Sequence, residues 1–375
     1  METKRKSAKV VVSLLALAGL AVFSLFAVGG SLQPSAPPGP TMKTLDEVEP
    51  RIPITQDDIP LTITDSGSYY LTDDLTSAGI AITVNVNDVT IDLAGFSLIG
   101  PGSGGNYGIY ITNQSNIQVR NGTVRSFGYH GIYALGTSNA NHSVINVRSL
   151  DNGRSGIYLV GSGHLVKGCL LSGNNGVYGA IRLDGNGCTV IDNVVSNNQY
   201  RGIEIVGASC TVRGNAVYNN QSLGIYSGTY ATVTGNNIAS NQHWGMSVGN
   251  GSMVIGNSIS KNWLYGIFAG DSCTVLNNTV VDNNQSDTAG HAGIRAGKGC
   301  IVKANNARAN LRNNIYLASY GNAVEENLVT GSTFGIYFNS GGNFYANNRA
   351  SGNTTNNYGG TLPSGGGDGG GNAEF

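Results

Sequence analysis

Glu204 stands three residues after Arg201 and 22 after Arg182, with Tyr200 alongside. A carboxylate next to guanidinium groups can act as a base while the cations hold an acidic sugar, which is the minimum equipment of a polysaccharide lyase. The same residues also fit a surface salt bridge worth under about 1 kcal/mol. Hydrolysis of a glycosidic bond asks for two carboxylates flanking that bond, and Glu204 has no evident partner. A neighbouring cation lowers a carboxylate's proton affinity, so Glu204 would be a poor general acid. Glu204, Arg182 and Arg201 are the catalytic candidates, and efficient turnover is not expected from them.

These residues share a face because the chain repeats. A Gly-Ile-x-apolar phrase begins at Gly108, Gly131, Gly156, Ala180, Gly202, Gly224, Gly245, Gly266, Gly293, Asn314 and Gly335, at intervals of 21 to 27 residues. Such a period is one solenoid coil. Short alternating runs separated by Gly and Asn predict strands and tight turns, with no room for a helix. The fold class is all-β: a single-stranded right-handed parallel β-helix of about 13 coils with an N-terminal cap. Val166, Val190, Val212, Val233, Val254, Val275, Val302 and Val324 form a core column. Asn193, Asn215, Asn236, Asn257, Asn278, Asn305, Asn327 and Asn348 form another, and Asn152, Asn198, Asn220, Asn241, Asn262 and Asn310 a third. Stacked amides can hydrogen-bond from coil to coil, and Asn tolerates a left-handed turn, so both Asn columns are read as structural.

The third position of each phrase points outward, and seven of its eleven occupants are aromatic: Tyr110, Tyr133, Tyr158, Tyr226, Phe268, Tyr316 and Tyr337. Rings at a ~4.8 Å pitch make a ribbon with apolar faces and polar tips. That chemistry suits a polysaccharide, and it equally suits a purely structural ladder of cross-strand neighbours. Beside the ribbon runs a second column with Tyr129, Arg154, Tyr178, Tyr200, His243, His291 and Arg312. The candidate ligand-binding residues are Tyr133, Tyr158, Tyr200, Tyr226, His243, Arg295, Tyr316 and Tyr337. Their rings are expected to be largely exposed. The longest coil, between Asp282 and His291, would hang as a loop carrying Asp282, Asp287 and His291.

Composition sets limits. Charged residues are 11% and the net charge is −1, so no basic surface neutralises phosphates and nucleic acid is excluded as a partner. Cys188 with Cys210, and Cys273 with Cys300, lie one coil apart and read first as stacked buried thiols, with disulfides the second reading. No cofactor motif and no metal-ligand spacing is present. Gly245-Met246-Ser247-Val248-Gly249 matches G-x-S-x-G, but it falls on the repeat phrase instead of a strand-to-helix elbow.

Lys4, Arg5, Lys6 and Lys9 precede an apolar run at 10–28, so residues 1–30 read as a signal peptide or a membrane anchor. Either places the β-helix outside the cytoplasm: secreted, periplasmic or on the cell surface. A Pro-rich linker follows at 31–41, then the cap and first coils at 42–107, the repeats at 108–358 and a Gly-rich tail at 359–375 expected to be disordered.

The Gly-Ile phrases, with the opening coils Val89-Thr90-Ile91-Asp92-Leu93-Ala94-Gly95-Phe96 and Arg120-Asn121-Gly122-Thr123, resemble the pectate-lyase-like superfamily of right-handed parallel β-helix proteins. The exported bacterial members are the nearest in pattern. The resemblance covers about residues 60 to 358 and implies fold more than function. It implies a carbohydrate-binding or carbohydrate-cleaving role, but the N-T-D, G-H-G and R-I-K motifs of polygalacturonases are missing. The only Asp pairs, Asp57-Asp58 and Asp73-Asp74, lie in the cap region. No family catalytic residue carries over.

Overall fold

A computed structural model describes residues 50–286, 290–363 and 367–374. The expected signal or anchor, the linker, most of the cap segment before residue 50, and Asp287 lie outside the described residues. Among the described residues no helix is long and apolar enough to cross a membrane.

Each coil contributes one strand to a 14-stranded parallel sheet, and most coils add two short strands to a second, 26-stranded sheet, in which Gln118–Arg125 and Ser143–Leu150 run unbroken. The coil at Gly202 is representative, with strands Ile203–Ile205, Thr211–Arg213 and Ala216–Tyr218. Its residues pair in register with the next coil, Ile203 with Ile225, Thr211 with Thr232 and Ala216 with Asn237. Because side chains alternate across a strand, this register aligns every inward position into a column. Ile203, Ile205, Val212 and Val217 are fully buried, as is the whole Val column from Val166 to Val324. Among the described residues a parallel β-solenoid of about 14 turns results, in line with the about 13 coils expected.

The two Asn columns line the corners of the coil as continuous ladders. Asn215 Nδ2 donates to Asn236 Oδ1 at 3.0 Å and to the Val190 carbonyl at 3.0 Å, while Asn236 Oδ1 also accepts the Asn215 backbone N–H at 3.0 Å. The pattern continues through Asn236, Asn257, Asn278, Asn305, Asn327 and Asn348. Turn amides that no strand could satisfy are thereby paired inside the protein. The second ladder runs from Asn152 to Asn310 and includes Asn174 and Asn283, which vary in distance from the phrase and so escaped the sequence columns. The left-handed residue is not the ladder Asn but the one before it: Asp192, Gly214, Gly235 and Asn277 all have φ near +60°.

This ladder also explains the phrase glycine. A Cβ on Gly224 would meet Asn241 Nδ2 at 2.8 Å and the Gly245 carbonyl at 2.6 Å, so the corner closes only over a bare Cα.

A third corner column is chemically mixed: His142, His164, Cys188, Cys210, Ala231, Ser252, Cys273, Cys300, Asn322 and Asn343. Side-chain acceptors still take the preceding coil's backbone N–H, at 3.1 Å for His142 N to His164 Nδ1 and 2.8 Å for Cys300 N to Asn322 Oδ1. All five cysteines are free, buried thiols. The Gly-rich tail, expected to be disordered, is folded over its described residues. Ala373–Glu374 pairs with Arg349–Ser351, and Asn372 extends the first ladder by accepting from Asn348 N at 3.0 Å. The ladder's own hydrogen bonding draws this segment in.

His142 and His164 stack at 5.0 Å and accept backbone N–H groups at Nδ1. Burial holds the His142 pKa down at about 3, helped by the neighbouring His164, and burial holds that of His164 at about 4. Both lie below the ~6.5 of an unfolded histidine, so the unfolded chain binds more protons as pH falls through that value, and stability is lost between about pH 7 and pH 4. Replacing both with Asn, the residue this column uses further on, is expected to remove part of that loss. Urea unfolding at pH 7 and pH 4.5 should show the parent losing about 5 kcal/mol more than His142→Asn/His164→Asn. Equal losses would contradict the assignment.

Candidate functional site

The outward face of the 14-stranded sheet carries the candidate residues in one register: Tyr110, Tyr133, Tyr158, Arg182, Glu204, Tyr226, Ser247, Phe268, Arg295, Tyr316 and Tyr337 pair in succession. The rings are half-buried and not largely exposed as expected. The cause is the position just before the phrase, where aromatic residues recur. Tyr107, His130, Trp244, Tyr265 and Phe334 fill it and pack against the ribbon from the side.

Three clusters result. In the first, Tyr107 stacks on Tyr110 and Tyr133, each at 5.1 Å, and Tyr133 leads to Tyr158 at 5.2 Å. His130 lies beneath, 4.8 Å from Tyr133, with its pKa held at about 3 by burial and by Arg154. Burial, aided by neighbouring phenols, pushes the Tyr133 hydroxyl up to about 12. Arg154 covers Tyr129 at 3.8 Å.

In the second, Trp244 lies flat on Phe268 at 4.6 Å with 2° between planes, and Arg295 covers the Phe268 ring at 4.2 Å. Tyr265 and His291 close its side at 4.3 Å, and His243 abuts Trp244 at 4.9 Å. In the third, Tyr316 and Tyr337 stack at 5.7 Å, and with Arg312, Asn313, Phe334 and Asn339 they line a depression of 280 Å³. Asp282 sits at the left-handed turn position before Asn283, apart from these groups.

Between the first two clusters lies the ionic group. Glu204, expected outward and accessible, is only 4% exposed. Its Oε1 accepts from Arg201 at 2.6 Å and Arg182 at 3.3 Å, and its Oε2 from the Gly179 backbone N–H at 2.8 Å. Alternation placed this side chain on the outer face, but the glycine at 179 lets the carboxylate fold down onto the backbone. A Cβ there would come 2.7 Å from that of Glu204. Asp184, missed in the sequence, is a second carboxylate on the same guanidinium, 2.9 Å from Arg182 Nε, and accepts from the Tyr158 hydroxyl at 2.6 Å. It was legible as the next outward position of its own strand. Arg182 also covers Tyr178 at 4.2 Å, and Arg201 lies over Tyr200 and Tyr226 at 5.2 and 5.1 Å. Ser247 of the G-x-S-x-G match is 6% exposed within a strand. Among the described residues no cluster of His, Cys, Asp and Glu could hold a metal ion.

Comparison with known proteins places this geometry. No curated protein sequence matches the chain. Among solved structures it is similar to the Dettilon tailspike protein gp208, with a TM-score of 0.56, 16% identity and 73% of the chain covered; the match spans 62% of the tailspike chain. It is similar to the A-module of the mannuronan C-5 epimerase AlgE6 of Azotobacter vinelandii at TM-score 0.55 and 16% identity, covering 83% of this chain and 91% of the module. The periplasmic alginate epimerase AlgG follows at TM-score 0.53 and 13% identity, covering 86% and 83%. At these identities the likeness is one of fold. The right handed beta helix region matches residues 107–228 and 225–372, more than half of the sequence, and the chain belongs to that right-handed β-helix family.

Proposed function

We propose that this protein is an extracytoplasmic β-helix that binds polysaccharide along its outward aromatic face and does not cleave it efficiently. The observation that carries this reading is the series of three clusters of half-exposed rings between Tyr107 and Tyr337, the last at the 280 Å³ depression lined by Arg312, Tyr316, Phe334 and Tyr337. Ring faces suit the apolar faces of sugars, and polar tips and guanidiniums suit their hydroxyl rims. The epimerases of like fold act on mannuronan and alginate by name, which supports a polysaccharide as the partner class. The basic N-terminal residues followed by the apolar run at 10–28 support export.

The state of the carboxylates supports binding without turnover. Glu204 accepts three hydrogen bonds and Asp184 is held by Arg182 and Tyr158. Neither is placed to move a proton on a bound sugar, because a general base needs a free lone pair within reach of the substrate. Glu204→Gln should therefore act on stability: it leaves the Arg201 guanidinium without its anion while Arg182 keeps Asp184, at a cost of roughly 3 kcal/mol in urea unfolding. Cleavage of a polysaccharide by the parent that vanishes in Glu204→Gln would reject the reading in favour of a lyase.

Tyr316→Ala/Tyr337→Ala tests the binding face. Retention on a polysaccharide column that holds the parent is expected to weaken about tenfold, a change of ~1.4 kcal/mol. Loss of melting temperature with unchanged retention would make the ladder purely structural.

A further inference from the structure

The second sheet has an outer face that the aromatic clusters leave unused. In its strands Met253–Ile255, Thr274–Leu276, Ile301–Lys303, Ala323–Glu325 and Phe344–Ala346 the central residue points into the core, and Val254, Val275, Val302, Val324 and Tyr345 are all buried. The flanking residues stand on the outer face in two columns, because side chains alternate along each strand and neighbouring coils pair in register. One column reads Met253, Thr274, Ile301, Ala323, Phe344, and the other Ile255, Leu276, Lys303, Glu325, Ala346. Met253, Ile301 and Phe344 are exposed. An apolar strip of this kind, bordered by charge, marks a contact surface.

The order of residues in the columns says what fits on it. Large side chains alternate with small ones, and opposite charges sit on adjacent coils, with Lys303 Nζ 3.3 Å from Glu325 Oε2 and 3.0 Å from Glu326 Oε1. Consider a second copy laid face to face with its coil order reversed, about a two-fold axis that runs along the strands between the Ile301 and Ala323 coils. Each column then meets itself in opposite order, as an isologous contact requires. Ile301 faces Ala323, Phe344 faces Thr274 and Leu276 faces Ala346, so every bulky side chain meets a smaller one. Lys303 faces Glu325 of the second copy, and symmetry repeats that pair. Shifting the axis onto the Ile301 coil or the Ala323 coil would set Lys303 on Lys303 or Glu325 on Glu325, which is repulsive. Shifting it one whole coil back would press Lys303 on Leu276 and Glu325 on Ile255, leaving both charges against apolar groups.

We propose that this strip is a self-association surface, on which a second copy of the chain docks in antiparallel orientation through the two columns and a pair of crossed Lys303–Glu325 contacts. Charge complementarity favours a second copy over a lipid surface, which would have to bury Glu325 without a partner cation of its own. Five coils at ~4.8 Å make a strip about 24 Å long and only two side chains wide. That is less than the ~800 Å² per partner of a standard interface, so the association is weak and depends on concentration. The outward face of the 14-stranded sheet takes no part in it, and each copy keeps its aromatic clusters open.

Sedimentation velocity of the full chain across the micromolar range tests the proposal, and the parent is expected to pass from monomer to dimer. Lys303→Glu and Glu325→Lys, each checked for folding by circular dichroism, should weaken self-association at least about tenfold, since like charges then meet twice in every dimer. An equimolar mixture of the two variants should dimerise again. The mixed pair restores both crossed contacts, while the internal Lys303–Glu325 pair stays broken in both chains, so a purely internal role for that pair predicts no recovery. A parent that stays monomeric throughout would overturn the proposal. A dimer indifferent to both reversals would also overturn it, by placing the contact elsewhere on the chain. Failure of the mixture to recover would overturn the antiparallel register. Binding of phosphatidylcholine–phosphatidylglycerol vesicles by a monomeric parent, lost in Ile301→Lys, would give the strip to a membrane instead.

Discussion

Everything on the outer face depends on the hydrogen bonding of amides inside the corners. A parallel β-helix must turn sharply three times per coil, and each turn leaves backbone N–H groups pointing inward, where no strand can pair them and water is absent. The Asn ladders take up these donors and pass one acceptor to the next coil, from Asn193 to Asn372 in one corner and from Asn152 to Asn310 in another. Since each ladder Asn pairs its amide with its counterpart one coil away, a slipped register would break the whole ladder. In-register stacking of the core Val column and of the outward rings follows from that constraint.

The same constraint reaches into the phrase that recurs through the sequence. Its glycine is bare because ladder amides press against it, its Ile fills the core, and its third residue is free to vary on the outside. Variation at this one position turns a structural repeat into a surface with three aromatic clusters and an ionic break. Rigidity is what makes the surface useful: rings and guanidiniums held on a stacked sheet need little ordering when a polymer lies along them.

The repeat was legible because one period governed residues of different chemistry at once. Gly, Ile, Val and Asn each recurred at the same interval, and the structure agrees on register, on buried valines and on buried thiols. What sequence could not show was the depth of side chains. Alternation puts Glu204 on the outer face correctly, but only the gap above Gly179 and the two arginines explain why it is buried. The Tyr rings were expected to stand free, and they are half-covered by Tyr107, His130, Trp244 and Phe334, whose position lies outside the phrase that drew attention. Asn174 and Asn283 joined their ladder despite irregular spacing, because loops absorb inserted residues while hydrogen-bonding corners do not. The tail was misjudged for a related reason: glycine content says nothing about a single Asn372 able to continue a ladder.

The most direct test is the stability of Asn257→Ala, in the middle of the longest ladder. The substitution would leave the Asn236 backbone N–H and the Val233 carbonyl without these partners in the interior, while Asn236 Nδ2 keeps the Val212 and Thr234 carbonyls. Buried unpaired groups cost about 1–3 kcal/mol each before relaxation, so urea unfolding is expected to show a loss of roughly 3–5 kcal/mol. A loss under about 0.5 kcal/mol, the range of an ordinary surface substitution, would contradict the claim that corner ladders hold the coils in register.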